Sequence, residues 1–318
     1  MSDLLFTVRE ITRETPRVCA VVLEAKGEMP LPGWSAGAHI RVKLPGGGDR
    51  PYSLVDLAAW RGGRHYVLGT LLEENSAGGS HYIHSLKEGD EVSATGPINQ
   101  FELRQGNSPV LLLAGGIGIT PIFSMAAALA ETGRDFRLHY LGRAQGELAF
   151  LPELADICGD RLSVHYDDTP PGRPDFAELL GRLPDDGDAY VCGPSGMIEA
   201  VKTAWALAGR PSARLHYELF TATPAPAAGD KAFEVEVKST GQVVTVAPDQ
   251  SIIDALEEAG IEIVYDCRRG DCGICQTAVL EGIPEHRDVV LTDEEKASNN
   301  VMQICVSRAK TPRLVLDL

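Results

Sequence analysis

Four cysteines near the C-terminal end constrain this chain more than any other feature. Cys267-Arg-Arg-Gly-Asp-Cys272-Gly-Ile-Cys275 places four residues between the first two thiols and two between the next, and Cys305 follows after another 29. This is the plant-type spacing for the ligands of a [2Fe–2S] cluster. Four thiolates converge on two irons only if a tight loop supplies three of them and a separate segment the fourth. The backbone must therefore turn sharply, and Gly270 and Gly273 permit it while leaving amides to face the sulfurs. Two other readings stand beside this one: a structural zinc site, which ordinarily pairs two C-x₂-C units, and a set of unrelated buried cysteines. The remaining three, Cys19, Cys158 and Cys192, are scattered and read as small core residues, with a reservation for Cys192.

A total of seven cysteines is odd, and the opening Met-Ser-Asp-Leu-Leu-Phe lacks the basic and apolar regions of a secretory signal. A reducing, cytoplasmic compartment is the expectation. The length of 318 residues suits two or three domains better than one core. With 29 Lys and Arg against 45 Asp and Glu, the net charge of −16 offers no general attraction to phosphate backbones or anionic lipid, so nucleic acid and membrane are not expected partners. The charge is uneven. Residues 230–318 carry −8, as do the 229 residues before them, so the cysteine-bearing end is more than twice as densely negative.

The segment Phe220-Thr-Ala-Thr-Pro-Ala-Pro-Ala-Ala-Gly-Asp-Lys231 is rich in Pro and Ala without large apolar residues, as expected of a semi-rigid linker. Before it, short β-type runs at Val18–Leu23, His39–Leu44 and His65–Leu72 are separated by Gly/Pro clusters, which predicts an antiparallel barrel or sandwich. From residue 109 the pattern becomes strand then helix: Val110–Ala114 with 121–130, Arg137–Leu141, Leu162–Tyr166, and Ala189–Cys192 with 196–208. Such alternation predicts a parallel α/β sheet. The 21 uncharged residues from Val110 to Ala130 are long enough to span a bilayer, but Gly115, Gly116, Gly118 and Pro121 interrupt them, and a buried strand, turn and helix fit better. After the linker, Phe233–Val237 and Val243–Val246 read as a hairpin around Thr240-Gly241. Ser251 and Asp254 then form a capping-box start to a helix that exits at Gly260.

Leu113-Ala-Gly-Gly-Ile-Gly-Ile-Thr-Pro121 follows an apolar strand and opens a helix, with Thr120 as expected N-cap and Pro121 at the first helical position. Free N–H groups there suit a pyrophosphate, and Gly115, Gly116 and Gly118 let it approach the backbone. Tyr190-Val-Cys-Gly-Pro-Ser-Gly-Met197 ends a second strand with the same logic and would border the same crevice. The acidic end of Leu162-Ser-Val-His-Tyr-Asp-Asp168 offers Asp167 or Asp168 to a ribose 2′-OH and would repel a 2′-phosphate, pointing to NADH over NADPH; the two aspartates also suit an ordinary turn.

The last ninety residues resemble a plant-type ferredoxin, in the cysteines and also in Glu281-Gly-Ile-Pro-Glu-His286-Arg287-Asp288 and Gln303-Ile-Cys-Val-Ser-Arg308. His286 and Asp288 themselves read as ordinary polar loop residues. The two strand-end turns resemble the NAD(P)H domain of ferredoxin–NADP reductase-like flavoproteins. That likeness implies that Cys192, Gly193, Pro194 and Met197 lie by the nicotinamide. It also implies a flavin motif upstream, which is present as Arg50-Pro51-Tyr52-Ser53-Leu54. Arg50 would meet phosphate, Tyr52 would pack on the isoalloxazine and Ser53 would bond its reactive edge. Its usual partner, a Gly-Gly-Ser turn heading a helix, reads Ser76-Ala-Gly78-Gly79-Ser80, with Ala77 where many relatives have Arg. His216-Tyr-Glu218-Leu-Phe220 matches the closing motif, where Glu218 and Phe220 would approach the flavin.

In order, the motifs resemble the phthalate dioxygenase reductase and vanillate demethylase reductase family, which implies FMN rather than FAD. The implied architecture is a β-barrel flavin domain at 1–105, an α/β nucleotide domain at 106–222, a linker at 223–231 and a β-grasp ferredoxin domain at 232–318. Electron counting gives the implied mechanism: NADH supplies a hydride, the cluster takes one electron, and a flavin converts between the two. Ser53, Cys192 and Glu218 are the residues expected nearest the chemistry. The acceptor implied is a Rieske-type oxygenase; a cytochrome P450, or a redox sensor without turnover, are the rival readings. Oligomeric state is not legible.

Overall fold

The computed structural model describes residues 3–27, 30–74, 78–170, 172–220, 229–265, 268, 270 and 273–318. Cys267, Cys272, Ser76, Ala77 and most of the expected linker lie outside them. The chain divides into two compact units, at 1–220 and 221–318.

In the first unit, six antiparallel strands lie in the order β4-β3-β6-β1-β2-β5, formed by β1 (Leu4–Arg13), β2 (Val18–Ala25), β3 (His39–Lys43), β4 (Asp49–Ser53), β5 (His65–Leu71) and β6 (Glu91–Ile98). A bridge between Leu54 and Leu68 brings the two edges together, so the sheet curls into a barrel. Phe6, Val21, Leu23, Ile40, Val42 and Leu68 fill its interior, and the short helix α1 (Gly79–Ser85) adds Ile83.

A five-stranded parallel sheet follows, β7 (Val110–Gly115), β8 (Phe136–Gly142), β9 (Leu162–Tyr166), β10 (Asp188–Gly193) and β11 (Leu215–Leu219), in the order β11-β10-β7-β8-β9. The helices α2 (Ile119–Thr132), α3 (Leu151–Cys158), α4 (Phe176–Arg182) and α5 (Ser195–Leu207) connect it. The uncharged stretch is thus a central strand, buried at all six positions, followed by a turn and α2. Among the described residues no helix is long and apolar enough to cross a membrane.

Barrel and parallel sheet share one core. Val18, Ala20, Val22 and Val67 of the barrel pack with Ile122, Phe123 and Met125 of α2 and with Leu112 and Tyr140 of the sheet. Each fully buried Val, Leu, Ile, Phe or Met side chain among them contributes roughly 1.5–3 kcal/mol. The barrel and the parallel sheet therefore lie within one compact unit.

The second unit holds β12 (Phe233–Val237), β13 (Val243–Val246), α6 (Ile252–Glu258), β14 (Gln276–Glu281), β15 (Pro284–Glu285), α7 (Asp293–Ser298), β16 (Val301–Gln303), β17 (Arg308–Ala309) and β18 (Arg313–Leu316). Its main sheet runs β13-β12-β18-β14-β16, with the inner hairpin strand β12 parallel to the last strand β18, the β-grasp arrangement. The Ser251–Asp254 capping box forms as expected, and Ile252, Ile253 and Leu256 seat α6 on the sheet.

Candidate functional sites

The parallel sheet reverses its strand order at β7, with β8 and β9 on one side and β10 and β11 on the other. Crevices beyond the carboxyl ends of such strands are where α/β sheets bind ligands. Both strand-end turns lie at this point, and they touch. A Cβ on Gly118 would stand 2.2 Å from the Cys192 carbonyl oxygen, and one on Gly115 would stand 2.7 Å from Pro194 Cδ and 2.8 Å from Met197 Sδ. Two of the three glycines are therefore needed so that the turns can pack on each other; only Gly116 faces open space.

Thr120 departs from its expected place. The 3₁₀ turn Gly116–Gly118 runs straight into α2, so Gly118 is the N-cap and Thr120 lies inside the helix, 1% exposed, its hydroxyl donating to Ile117 O at 3.0 Å. Its methyl group closes on Gly69 of β5, where a Cβ would be 2.7 Å away. Thr120 thus ties the glycine turn to the barrel. Cys192 is fully buried in β10, beside Glu218 in the register with β11, and Phe220 follows directly on that strand's end and packs on the shared core.

The acidic pair after β9 is not a bare carboxylate patch. Arg173 grips Asp167 with two bonds, Nε to Oδ1 at 2.7 Å and Nη2 to Oδ2 at 2.6 Å, and Asp168 Oδ1 accepts from Thr169 Oγ1 at 3.0 Å. The bond from Arg173, with Arg143 nearby, holds the Asp167 carboxyl below its ordinary range. Sequence reasoning missed Arg173, because nothing in the spacing shows that the loop folds back.

On the barrel, Arg50, Pro51, Tyr52 and Ser53 lie in β4, an end strand of the sheet order, where a proline's missing N–H is tolerated. The turn at Gly78 and Gly79 packs against them so tightly that a Cβ on Gly79 would lie 2.7 Å from Tyr52 Oη and 2.8 Å from Arg50 Cγ. Ser80 is buried, its hydroxyl accepting from Glu73 N at 3.2 Å. Burial raises the Tyr52 phenol above its ordinary value, with Arg50 opposing, so the ring is neutral and suited to stacking. A cation, backbone amides and an aromatic ring around one cradle fit a flavin and its phosphate.

In the second unit Cys275 and Cys305 are both buried, and Ile304 N donates to Cys275 O at 3.4 Å, which sets the two segments side by side. Gly270 and Gly273 have φ of 77°, as the sharp turn requires. A Cβ on Gly270 would also strike Val306 Cγ2 at 2.6 Å. Arg268 adopts φ 54° and is held by Asp254 and Glu257 of α6, each at 2.5 Å, an anchor the sequence did not reveal. Two buried thiols, a left-handed glycine on either side of the sequence Asp271–Cys272 and an anchored loop fit the expected four-thiolate cluster site; Cys267 and Cys272, the other two expected ligands, lie outside the described residues. Among the described residues no group of three or more His, Cys, Asp or Glu gathers for another metal.

Asp288 is not an ordinary polar loop residue. Its side chain is fully buried, Oδ2 accepts from Leu291 N at 2.9 Å, and Val289 N beside it donates to Gly270 O at 3.1 Å. Asp288 closes the 286–291 loop on itself, and Val289 N ties that loop to the cysteine loop. His286, with its side chain 8% exposed, lies 3.7 Å from Asp288 Oδ1.

Comparison with known proteins agrees with this geometry. Residues 235–310 match the 2Fe-2S iron-sulfur cluster binding domain family and residues 112–203 the oxidoreductase NAD-binding domain family. The chain is 42% identical to vanillate O-demethylase oxidoreductase of Pseudomonas putida, over 96% of each protein. Its structure superposes on that of phthalate dioxygenase reductase with a TM-score of 0.81 at 34% identity, covering 100% of this chain and 98% of the other. Full-length CYP116B46 of Tepidiphilus thermophilus matches at 35% identity and a TM-score of 0.79, covering 99% of this chain but 42% of that one.

Proposed function

Because this chain belongs to the family of oxygenase-system reductases that includes vanillate O-demethylase oxidoreductase, we propose that it draws two electrons from NADH and delivers them singly, through FMN and a [2Fe–2S] cluster, to a Rieske-type oxygenase. It is an oxidoreductase, with an NAD-binding domain and a cluster-binding domain in one chain. When bound, a flavin accepts electrons in pairs and releases them one by one, while a [2Fe–2S] cluster carries one at a time.

The chain's own residues supply position. The observation that carries the reading is the contact between the two strand-end turns at the sheet's switch point, with Thr120 linking them to the barrel. In this scheme the turn of Gly115, Gly116, Gly118 and Thr120 and the turn of Cys192, Gly193, Pro194 and Met197 border the nicotinamide nucleotide, and Asp167 and Asp168 lie toward its ribose. Arg50, Tyr52, Ser53, Gly78, Gly79 and Ser80 hold the flavin, with Glu218 and Phe220 closing over it. Cys267, Cys272, Cys275 and Cys305 ligate the cluster. Residues 1–105 then form the flavin-binding part and 106–222 the nucleotide-binding part of one unit, with a linker at 223–231 and the ferredoxin part at 232–318. Each NADH gives NAD⁺, one proton and two electrons, and the electrons leave in two deliveries to the acceptor. The reading places the chain in the cytoplasm.

A cytochrome P450 acceptor is favoured by likeness to solved structures, among them an intact type IV self-sufficient cytochrome P450 monooxygenase at 34% identity. The test uses purified, flavin- and cluster-loaded protein with NADH. Steady reduction of a dye and of a purified Rieske oxygenase is expected, faster than that of a P450. The Cys275→Ser variant should lose transfer to protein acceptors while NADH still bleaches the flavin. Loss of both activities would contradict the modular scheme, and absence of any turnover in the loaded protein would favour a sensor.

A further inference from the structure

Gln303 ends β16 in a fully buried position, directly opposite Gln276 of β14. Its carbonyl accepts from Val306 N at 3.4 Å and Ser307 N at 3.1 Å, closing the turn that carries Cys305. Its side chain reaches the other described thiol: Cys275 Sγ lies 3.5 Å from Oε1, and Nε2 donates to Gln276 Oε1 at 3.1 Å. One residue therefore touches the segments that bring both cysteines together.

The chemistry of this contact changes with ligation. A thiol can donate its proton to Oε1, but a ligating thiolate has none, and a carbonyl oxygen facing it would be repelled. The two ends of a primary amide are nearly equal in size, so a half-turn exchanges acceptor for donor without repacking. Nε2 then donates to the sulfur, and Oε1 accepts from the Gln276 amide, which can turn as well because Gln276 is exposed. Both partners of the buried amide stay satisfied, whereas a buried amide without partners costs roughly 2–7 kcal/mol.

We propose that Gln303 is a positioning residue for the cluster: with Cys275 deprotonated and ligating, its Nε2–H donates to the Cys275 sulfur and favours the reduced, more negative state. The inference rests on the reading of Cys275 as a cluster ligand. Hydrogen bonds to cluster sulfurs are one of the protein's means of setting potential, and here the donor comes from a side chain, so it can be removed without touching the loop backbone.

The test is a dye-mediated redox titration of the full-length, loaded protein, following the EPR signal of the reduced cluster. Gln303→Met keeps the length and removes both polar atoms. It should hold the same iron and sulfide per chain, with the ratio of oxidised to reduced cluster at a fixed potential raised about tenfold, a downward move of about 59 mV for a one-electron couple. Gln276→Leu, at the exposed end of the relay, should move the potential the same way by less. An unchanged or raised potential in Gln303→Met overturns the proposal. Should that variant fail to retain its cluster, an unchanged potential in Gln276→Leu overturns it. Retention of an intact cluster by Cys275→Ala, which leaves no donor atom at that position, would instead overturn the ligand assignment beneath it.

Discussion

Acidification should loosen the nucleotide-binding sheet through one pair of histidines. His139 of β8 and His165 of β9 stack with ring centroids 5.2 Å apart and 18° between planes, Nδ1 of the first 3.0 Å from Nε2 of the second. Burial, then the facing His165 ring, then Arg137 and Arg182 push His139 down to about 4. Burial lowers His165 as well. In the unfolded chain a histidine titrates near 6.5. Between these values the unfolded chain binds a proton that the folded chain refuses. Stability is therefore complete above about pH 6.5, is lost as pH falls toward 4, and levels off below. A gap of about 2.5 at about 1.36 kcal/mol per pH unit sets an upper bound of about 3 kcal/mol. His165 is partly exposed, and water at that edge screens the pair, so the expected loss is about 1–2 kcal/mol. The assay is thermal melting of the parent and of His139→Leu from pH 7.5 to 4.5, read as a difference so that other titrating groups cancel. For a unit of this size each kcal/mol moves Tm by about 2–4 °C, so the variant should gain roughly 2–8 °C on the parent across the window. Parallel curves would refute the reasoning. Because Asp167 N donates to Gly142 O where β8 and β9 end, the apparent KM for NADH should rise over the same pH range.

Three further outcomes are expected. Gly118→Ala should cost about 1–3 kcal/mol in urea unfolding and weaken NADH binding, because its Cβ meets backbone 2.2 Å away rather than a side chain that can yield; an unaltered KM would deny the packing role. Arg173→Ala should release Asp167 and raise the preference for NADH over NADPH severalfold in kcat/KM, whereas an unchanged ratio would place the 2′-position elsewhere. Asp188→Ala should destabilise the first unit by about 3–5 kcal/mol in the same unfolding assay. Asp188 faces Arg104, Arg134 and Arg214 at 3.4–3.8 Å, and Arg134, itself buried, would lose its countercharge; a change under about 1 kcal/mol would show that those guanidiniums are satisfied by main-chain carbonyls.

Features that depend on near neighbours in the chain are legible in the order of residues alone. The cysteine spacing, the left-handed glycines between those cysteines, the Ser251–Asp254 box and the strand-helix alternation all follow from contacts a few residues long. Leu162–Tyr166 and Phe233–Val237 form with the bounds their composition suggests. Local pattern dictates local geometry because the backbone offers few conformations and the apolar period selects among them.

Other features are decided by residues distant in sequence. Thr120 has the pattern of an N-cap and is instead a spacer against Gly69; two of the glycines that suit a ligand's approach, Gly115 and Gly118, also let two turns meet. Asp167 reads as a free carboxylate until Arg173 closes on it, and Asp288 as a surface residue until the 286–291 loop buries it. Gln303 and Cys275 stand 28 positions apart, and only the register of β14 with β16 makes them neighbours. The chain's order of residues therefore determines which cofactor chemistries it can house, since those need particular atoms at short spacings. The electrostatics and fit of each site arise only when long-range packing removes water and chooses which charges face one another.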